Sequence, residues 1–376
     1  MTFSLHTPYR SEPARLLVAF VLVHLLVWTL VPWLGHWRVP IDNLEQLDWV
    51  RHIAWGYAKH PPFPTWLLGL AAQVLPLGIP LTYGLGALCT GLMLWLTWRL
   101  SDELLDRRRA CIAVLLVCGI TYYTSHVRYY NHNTLLMVAH AAATLAIWRC
   151  AQGGQTLWWW LLGVAWGLGM LSKYQMALTL CCNIGFLAVL ARDPQRRGEV
   201  RHWVKGLLLA AAVCAAILVP HLLWLVDNQF PTFAYAGKSV AANQVWLHRP
   251  LDILQFVGHH LGRTLAMLAM TLLLLWLGRG RLARQSVPPR RNDDFGREAR
   301  WLLVMHGLAP FALMALLTLL GGVALQIHWG TAYLWLLAPW YLTTLPGRRL
   351  TQLPLPWILA GLLVVQAGTL TQYALR

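Results

Sequence analysis

The chain has 376 residues, of which 58% are hydrophobic and only 12% charged, with a formal net charge of +16; its mean hydropathy is +0.51. A soluble domain carries roughly a quarter of its residues as Asp, Glu, Lys or Arg, so this composition excludes an ordinary soluble globular protein. Apolar runs long enough to cross a hydrocarbon core of roughly 30 Å predict instead an all-α polytopic membrane protein, and the 22 Trp suit the bilayer interface.

In chain order the hydropathy predicts about eleven spans: 16–34, 82–99, 110–127, 134–149, 157–172, 174–191, 206–225, 261–278, 301–323, 331–345 and 356–375. The opening "MTFSLHTPYRSEPAR" is basic, but the apolar run after it is long and lacks a small-residue cleavage site, so it is expected to remain as the first span. With the N-terminus inside, one set of connections holds 21 of the 30 Lys and Arg, among them Arg10, Arg107 to Arg109, Arg149, Arg196, Arg197, Arg290, Arg291, Arg348 and Arg349. That asymmetry is what the positive-inside rule requires, and it accounts for the basic excess without a nucleic-acid partner. The segment 279–300 is then a basic cytoplasmic loop, and 1–376 is expected to form a single membrane-embedded domain without internal repeats. The seven Cys fall in or at the ends of apolar runs, with no metal spacing, and read as small buried hydrophobes.

The opposite side receives 35–81, a corner near 128–133, a turn at 172–175, the segment 226–260 and a corner at 324–330. Polar groups placed there, at membrane depth or in the interface, mark a functional site. The stretch "DNLEQLDWVRHIAWGYAKHPPFPTWLL" (42–68) is the densest polar cluster outside the basic loops. Leu44, Leu47, Val50, Ile53 and Tyr57 recur at helical spacing with Glu45, Asp48, Arg51 and His52 on the other faces, which predicts an interfacial helix with its apolar face packed. Gly56 and Pro61-Pro62 end it, and Pro64 opens a second short helix. Asp42, three residues ahead of Glu45, reads equally as the N-cap of a capping box or as a chemical carboxylate.

Asp42 followed by "WGYAKHPP" (55–62) and Trp66, together with "NHNTLL" (131–136), "GLGMLSKYQ" (167–175) and "PHLLWLVDNQFPTFAYA" (220–236), resembles the GT-C glycosyltransferases of the family 39 type. These include protein O-mannosyltransferases and the bacterial aminoarabinose transferases of lipid A. The resemblance extends over about the first 240 residues and implies a GT-C-like fold, with two juxtamembrane helices in the first extracytoplasmic loop. It also implies a polyprenyl-phosphate-linked sugar as donor, an extracytoplasmic hydroxyl on a lipid, glycan or protein as acceptor, and a bacterial inner-membrane location. Asn43 stands where the family usually has Glu, and the larger relatives carry a C-terminal extracytoplasmic domain, so their acceptors are not carried over.

On this resemblance Asp42 is the expected catalytic base, and Lys173, Arg128 and Arg249 are the expected contacts of the donor phosphate. Tyr57, Glu45, His60, Asn131, His132, Asn133, Tyr174 and Asp227 are the expected sugar and acceptor contacts. The structural alternatives are a snorkelling Lys173, an aromatic-belt role for Tyr129 and Tyr130, an Asn133 that caps its span, and plain loop histidines at His60 and His328. Phe230, Phe233, Tyr235 and Trp246, set among Asp227, Asn228, Lys238 and Asn243, suit carbohydrate in a loop able to close over the donor. Glu45 and His60 resemble two ligands of a divalent ion, but two residues define no metal site, so a divalent metal stays open and no other cofactor is assigned. A lipid-linked sugar flippase or transporter is the rival class; it places polar groups near the midplane in broken helices, whereas here they gather at one surface.

Overall fold

The computed structural model describes residues 12–239, 246–284 and 294–375, and among them all regular structure is helical. The helices are α1 (Glu12–Leu34), α2 (Ile41–Trp49), α3 (Phe63–Ala71), α4 (Ile79–Leu104), α5 (Arg107–Val117), α6 (His132–Ala151), α7 (Leu157–Met170), α8 (Met176–Leu190) and α9 (Val200–Asp227). They continue as α10 (Pro231–Ser239), α11 (Arg249–Leu277), α12 (Arg279–Leu282), α13 (Asp294–Gly307), α14 (Ala309–Gly321), α15 (Leu337–Thr343), α16 (Leu345–Leu350) and α17 (Leu355–Ala374). Arg10, Asn243, Arg290 and Arg291 lie outside the described residues.

Among the described residues seven helical stretches are long and apolar enough to cross a membrane: 14–34, 79–104, 132–151, 194–227, 246–277, 296–321 and 355–374. The expected spans at 157–172 and 174–191 are apolar helices of 14 and 15 residues. At 110–127 the helix stops at Val117, and the chain turns through a short 3-10 segment at 121–123. The reason is tertiary: the hydroxyls of buried Tyr122 and Tyr123 donate to the carbonyls of Ile327 (2.6 Å) and Thr331 (2.7 Å), which ties this segment to another irregular one. The last short span, 331–345, is correspondingly built of 3-10 turns followed by the seven-residue α15. The segment 226–260 is less loop than expected, because α9 runs to Asp227 and α11 already begins at Arg249. Six of the seven Cys are buried; Cys181 is an exception and lies exposed on α8.

Small residues set the helix spacing. A Cβ on Gly206 of α9 would lie 2.1 Å from the Trp159 indole of α7, so only glycine lets these helices approach. The end of the bundle that collects the basic residues is laced by ion pairs: Arg149 with Glu103, Arg196 with Glu199 and Glu298, and Arg297 with Asp193. The opposite end gathers the C-terminus of α1, α2, α3, the N-termini of α4 and α6, the α7–α8 turn, α10, and residues 326–331.

α2 keeps part of the expected amphipathicity, with Leu47 and Val50 packed against the cluster around Leu68 and Leu85, but polar residues are its most buried. Its buried residues are Asn43 and Gln46, while Ile41 and Leu44 are 70% and 45% exposed. The Asn43 amide donates to Thr82 Oγ1 (2.8 Å) and the Arg128 carbonyl (3.0 Å) and accepts from the Tyr130 N–H (3.1 Å); Gln46 accepts from Thr65 Oγ1 (2.9 Å). A helix with lipid on its outer side keeps its polar groups inside, where they can be paired, and loses nothing by turning leucine outward. Asn43 is thus a structural clamp between α2, α4 and the 128–130 corner.

Candidate functional site

At this end of the bundle two cavities share a wall. The inner one, about 340 Å³, is lined by polar side chains of α6, residues 122–131, α11 and 327–331. The outer one, about 510 Å³, is framed by residues 59–61, the α7–α8 turn, α10 and α14. Asp42 and His328 border both.

Asp42 does not cap α2. The N-cap is Pro40, without a side-chain bond, and Asp42 sits in the first turn. Its Oδ2 instead accepts from Asn131 Nδ2 at 2.6 Å. Asn131 uses its Oδ1 to cap α6, accepting from the Asn133 and Thr134 N–H groups at 2.8 and 3.0 Å. One amide therefore fixes the start of α6 and the rotamer of Asp42 together. Asn133, expected as the cap, accepts from Lys173 Nζ at 2.6 Å and lies 3.1 Å from His132 Nε2. The His132 ring is packed on His60 with centroids 3.7 Å apart.

Lys173 also lies over the Trp329 ring, 5.7 Å from its centroid. It opens onto the outer cavity but is otherwise walled in by protein, and that loss of water pulls its pKa from 10.5 to about 7, with Asp42 opposing. Lys59, a second cation on the outer cavity, bonds both oxygens of Glu45 at 2.6 and 2.8 Å and lies over Tyr235. Burial works against its charge, but the Glu45 bond and charge win and hold its pKa above the ordinary lysine value. Burial, then Lys173 and Lys59, push His60 down to about 3, so its ring is neutral at neutral pH and the two lysines are the cations of this cavity. Tyr174 floors it: its hydroxyl lies 2.7 Å from His221 Nε2, and its ring stacks on Phe233 at 5.0 Å.

Five expected site residues line neither cavity: Tyr57, Arg128, Arg249, Asp227 and Glu45. Tyr57 stacks on Trp49 (5.1 Å), and its hydroxyl accepts from the Ala54 N–H and donates to the His52 carbonyl (both 3.2 Å), bracing the 50–62 loop from behind. Arg128 is buried, with Nη1 donating to the Arg38 carbonyl (2.7 Å) and Tyr83 hydroxyl (3.3 Å), and lines neither cavity. Arg249 donates to the Leu319 carbonyl at 2.8 Å and ties α11 to the end of α14. Asp227 is exposed at the end of α9, outside both cavities. Glu45 and His60 are not brought together as a ligand pair, since Glu45 is taken by Lys59 and His60 faces His132. No group of three or more His, Cys, Asp or Glu with metal-binding geometry occurs among the described residues.

Tyr235, one of the aromatic residues expected to suit carbohydrate, lies on the outer cavity, whereas Lys59 on the outer cavity and Arg263 on the inner one were not singled out from the sequence. Lys59 lies inside the quoted "WGYAKHPP", and Arg263 is a charge near the start of an apolar span, itself a signal.

Residues 59–224 match the model of the family described as dolichyl-phosphate-mannose-protein mannosyltransferase. The lipopolysaccharide core galacturonosyltransferase RgtA of Rhizobium johnstonii is 23% identical over 96% of the chain and 72% of its own length. The undecaprenyl phosphate-alpha-4-amino-4-deoxy-L-arabinose arabinosyl transferase 1 of Pseudomonas fluorescens is 27% identical over 63% of the chain, which spans only 45% of that protein. Among solved structures, ArnT from Cupriavidus metallidurans bound to undecaprenyl phosphate superposes with a TM-score of 0.65 at 17% identity, covering 93% of the chain and 62% of ArnT.

Proposed function

We propose, from the premise that the chain is a GT-C family glycosyltransferase, that it moves a sugar from a polyprenyl-phosphate donor to an extracytoplasmic hydroxyl with inversion at the anomeric carbon. One observation carries this reading: Asp42 stands on the wall common to two cavities, and two cations, Lys173 and Lys59, line the outer one. The phosphate is placed at Lys173 and Lys59. Lys59 has three N–H donors and spends two on Glu45, which leaves one for the ligand. The lipid tail leaves past Leu178, Met314 and Leu317, the apolar part of the lining. ArnT's complex with undecaprenyl phosphate and the donors named for the relatives support this class of ligand.

In the reaction Asp42 takes the acceptor hydroxyl proton as the oxygen attacks the anomeric carbon. The bond from that carbon to the phosphate oxygen breaks, and the phosphate leaves with the electron pair, its charge met by Lys173 and Lys59. Among the described residues Asp42 is the sole acid lining either cavity, so a base is present without a second carboxylate to act as a covalent nucleophile, which favours inversion. Two features support placing the site at the outer face of the inner membrane: it lies at the end of the bundle opposite the basic connections, and α2 and α3 lie beside it with Ile41, Leu44 and Leu70 turned outward as interfacial helices would.

The test is donor consumption by the purified full-length protein, using polyprenyl-phosphate sugars extracted from a bacterial envelope. The expected result is loss of donor only when an envelope acceptor extract is added, with a new glycosidic linkage by mass spectrometry. Movement of the donor across vesicles without a new linkage would assign the chain to the transporter class instead.

A further inference from the structure

We infer that the inner cavity is a subsite for a sugar bearing an anionic group, a carboxylate or a phosphate, and that Arg263 is the residue that receives it. The inference rests on the glycosyltransferase reading and concerns what that reading leaves unassigned.

The cavity wall is rich in groups that pair with sugar hydroxyls, among them Tyr122, Tyr129, Thr134 and Thr331, and its volume of about 340 Å³ falls within the size of small-ligand sites. Arg263 contributes its cation from α11, a helix apolar enough to span the membrane. Its guanidinium lies over the Tyr122 ring, 5.2 Å from the centroid. That ring is itself fixed, because the Tyr122 hydroxyl donates to the Ile327 carbonyl at 2.6 Å.

No ion pair to Arg263 occurs among the described residues. The sole carboxylate on the same wall is Asp42, which Asn131 holds for the reaction. The other arginines around the site are spent on protein: Arg128 on the Arg38 carbonyl and Tyr83, Arg249 on the Leu319 carbonyl. A cation without a counter-charge, set on an apolar helix and facing a polar cavity, is costly unless a ligand supplies the anion. A guanidinium braced on an aromatic face suits planar, two-oxygen groups such as carboxylate and phosphate. The outer cavity has its own lysines for the leaving phosphate, so Arg263 answers a second negative charge, on either the transferred sugar or the accepting one.

The experiment uses the full-length protein in three forms, wild type, Arg263→Gln and Arg263→Lys, each first shown by thermal unfolding to be folded. The donor arm compares a polyprenyl-phosphate hexuronic acid with the matching neutral hexose. The acceptor arm compares an envelope glycolipid extract left intact, dephosphorylated, or carboxyl-reduced. The expected result is a wild-type preference for the anionic member in one arm. Arg263→Gln should raise the half-saturation concentration of that substrate about ten- to hundredfold, the range for losing a charge-assisted bond. The constant for the other substrate should not move, and Arg263→Lys should recover part of the loss. A preference in the donor arm places the anion on the transferred sugar, and one in the acceptor arm places it on the acceptor. Equal use of neutral and anionic substrates in both arms, or a preference that survives Arg263→Gln, overturns the inference. Absence of transfer by the wild type in every arm overturns the function reading itself.

Discussion

Asn131 does two jobs with one amide, and the two can be separated. Its carbonyl oxygen caps α6 and its NH2 holds Asp42. Asn131→Ala loses both, so the melting temperature should fall by the equivalent of a lost cap, about 1 kcal/mol, and turnover should fall with it. Asn131→Asp keeps a capping oxygen but sets a like charge beside Asp42, so stability should change less than turnover; equal losses in the two variants would make Asn131 a cap alone. Lys173 gives a second prediction. In the proposed role it meets the phosphate in its charged form, and its pKa in the free protein is about 7. Donor kcat/KM should therefore be level below that pH and fall about tenfold per unit above it, while Lys173→Ala should be low and lack this alkaline limb. A wild-type profile level to pH 9 would remove Lys173 from the phosphate. Asp42 and Lys173 were legible as isolated charges at an expected membrane boundary. Their partners were not, because Asn131 and Asn133 are read by the same rules as helix caps, and only the fold shows that one of them caps and the other holds Lys173.

The 50–62 loop shows how an element positions these residues. Gly56 lies flat on α9: a Cβ there would sit 2.2 Å from the Trp224 ring. Behind it the Thr232 hydroxyl donates to the Tyr57 carbonyl (2.9 Å), and the Trp55 carbonyl meets His221 Nδ1 (2.7 Å). Gly56→Ala should push the loop off α9 at a cost of about 1–3 kcal/mol, read as a lower melting temperature, with donor KM raised because Lys59 and His60 follow within four residues. An unchanged KM would show that the loop does not position them. The sequence marked Gly56 as a helix terminator, and the helix in fact ends earlier, at Trp49. The close approach to Trp224 depends on a residue 168 positions away and leaves no local trace. α2 was misread at Asn43, Leu44 and Gln46 for a related reason. Helical periodicity says which residues share a face, but for a helix with lipid on one side it does not say which face is inside. At the α9–α10 junction Gln229 and Phe230 adopt φ of 59° and 56°, a conformation unusual for non-glycine residues, and this sharp corner folds α10 back so that Thr232 and Tyr235 reach the outer cavity.

For the molecule as a whole, composition was enough to read a membrane-embedded helical protein, and the long apolar runs gave the seven helices able to span. The short and irregular segments were less legible: 118–127 and 331–336 fall within expected spans, yet they are held in turns by hydroxyl-to-carbonyl bonds that hydropathy does not register. The charge asymmetry predicts sidedness. With the exposed Cys181 replaced, a cysteine placed at Asp227 should react with a membrane-impermeant maleimide in spheroplasts, and one at Arg281 only after permeabilisation; the reverse pattern would put the site in the cytosol. The most direct test of the account as a whole is the Asp42→Asn protein, assayed for sugar transfer and for donor binding on the same preparation. A proton acceptor at the wall between the cavities predicts turnover reduced about 10²- to 10⁴-fold, with donor affinity near wild type and the fold intact. Turnover within a few-fold of wild type would contradict it.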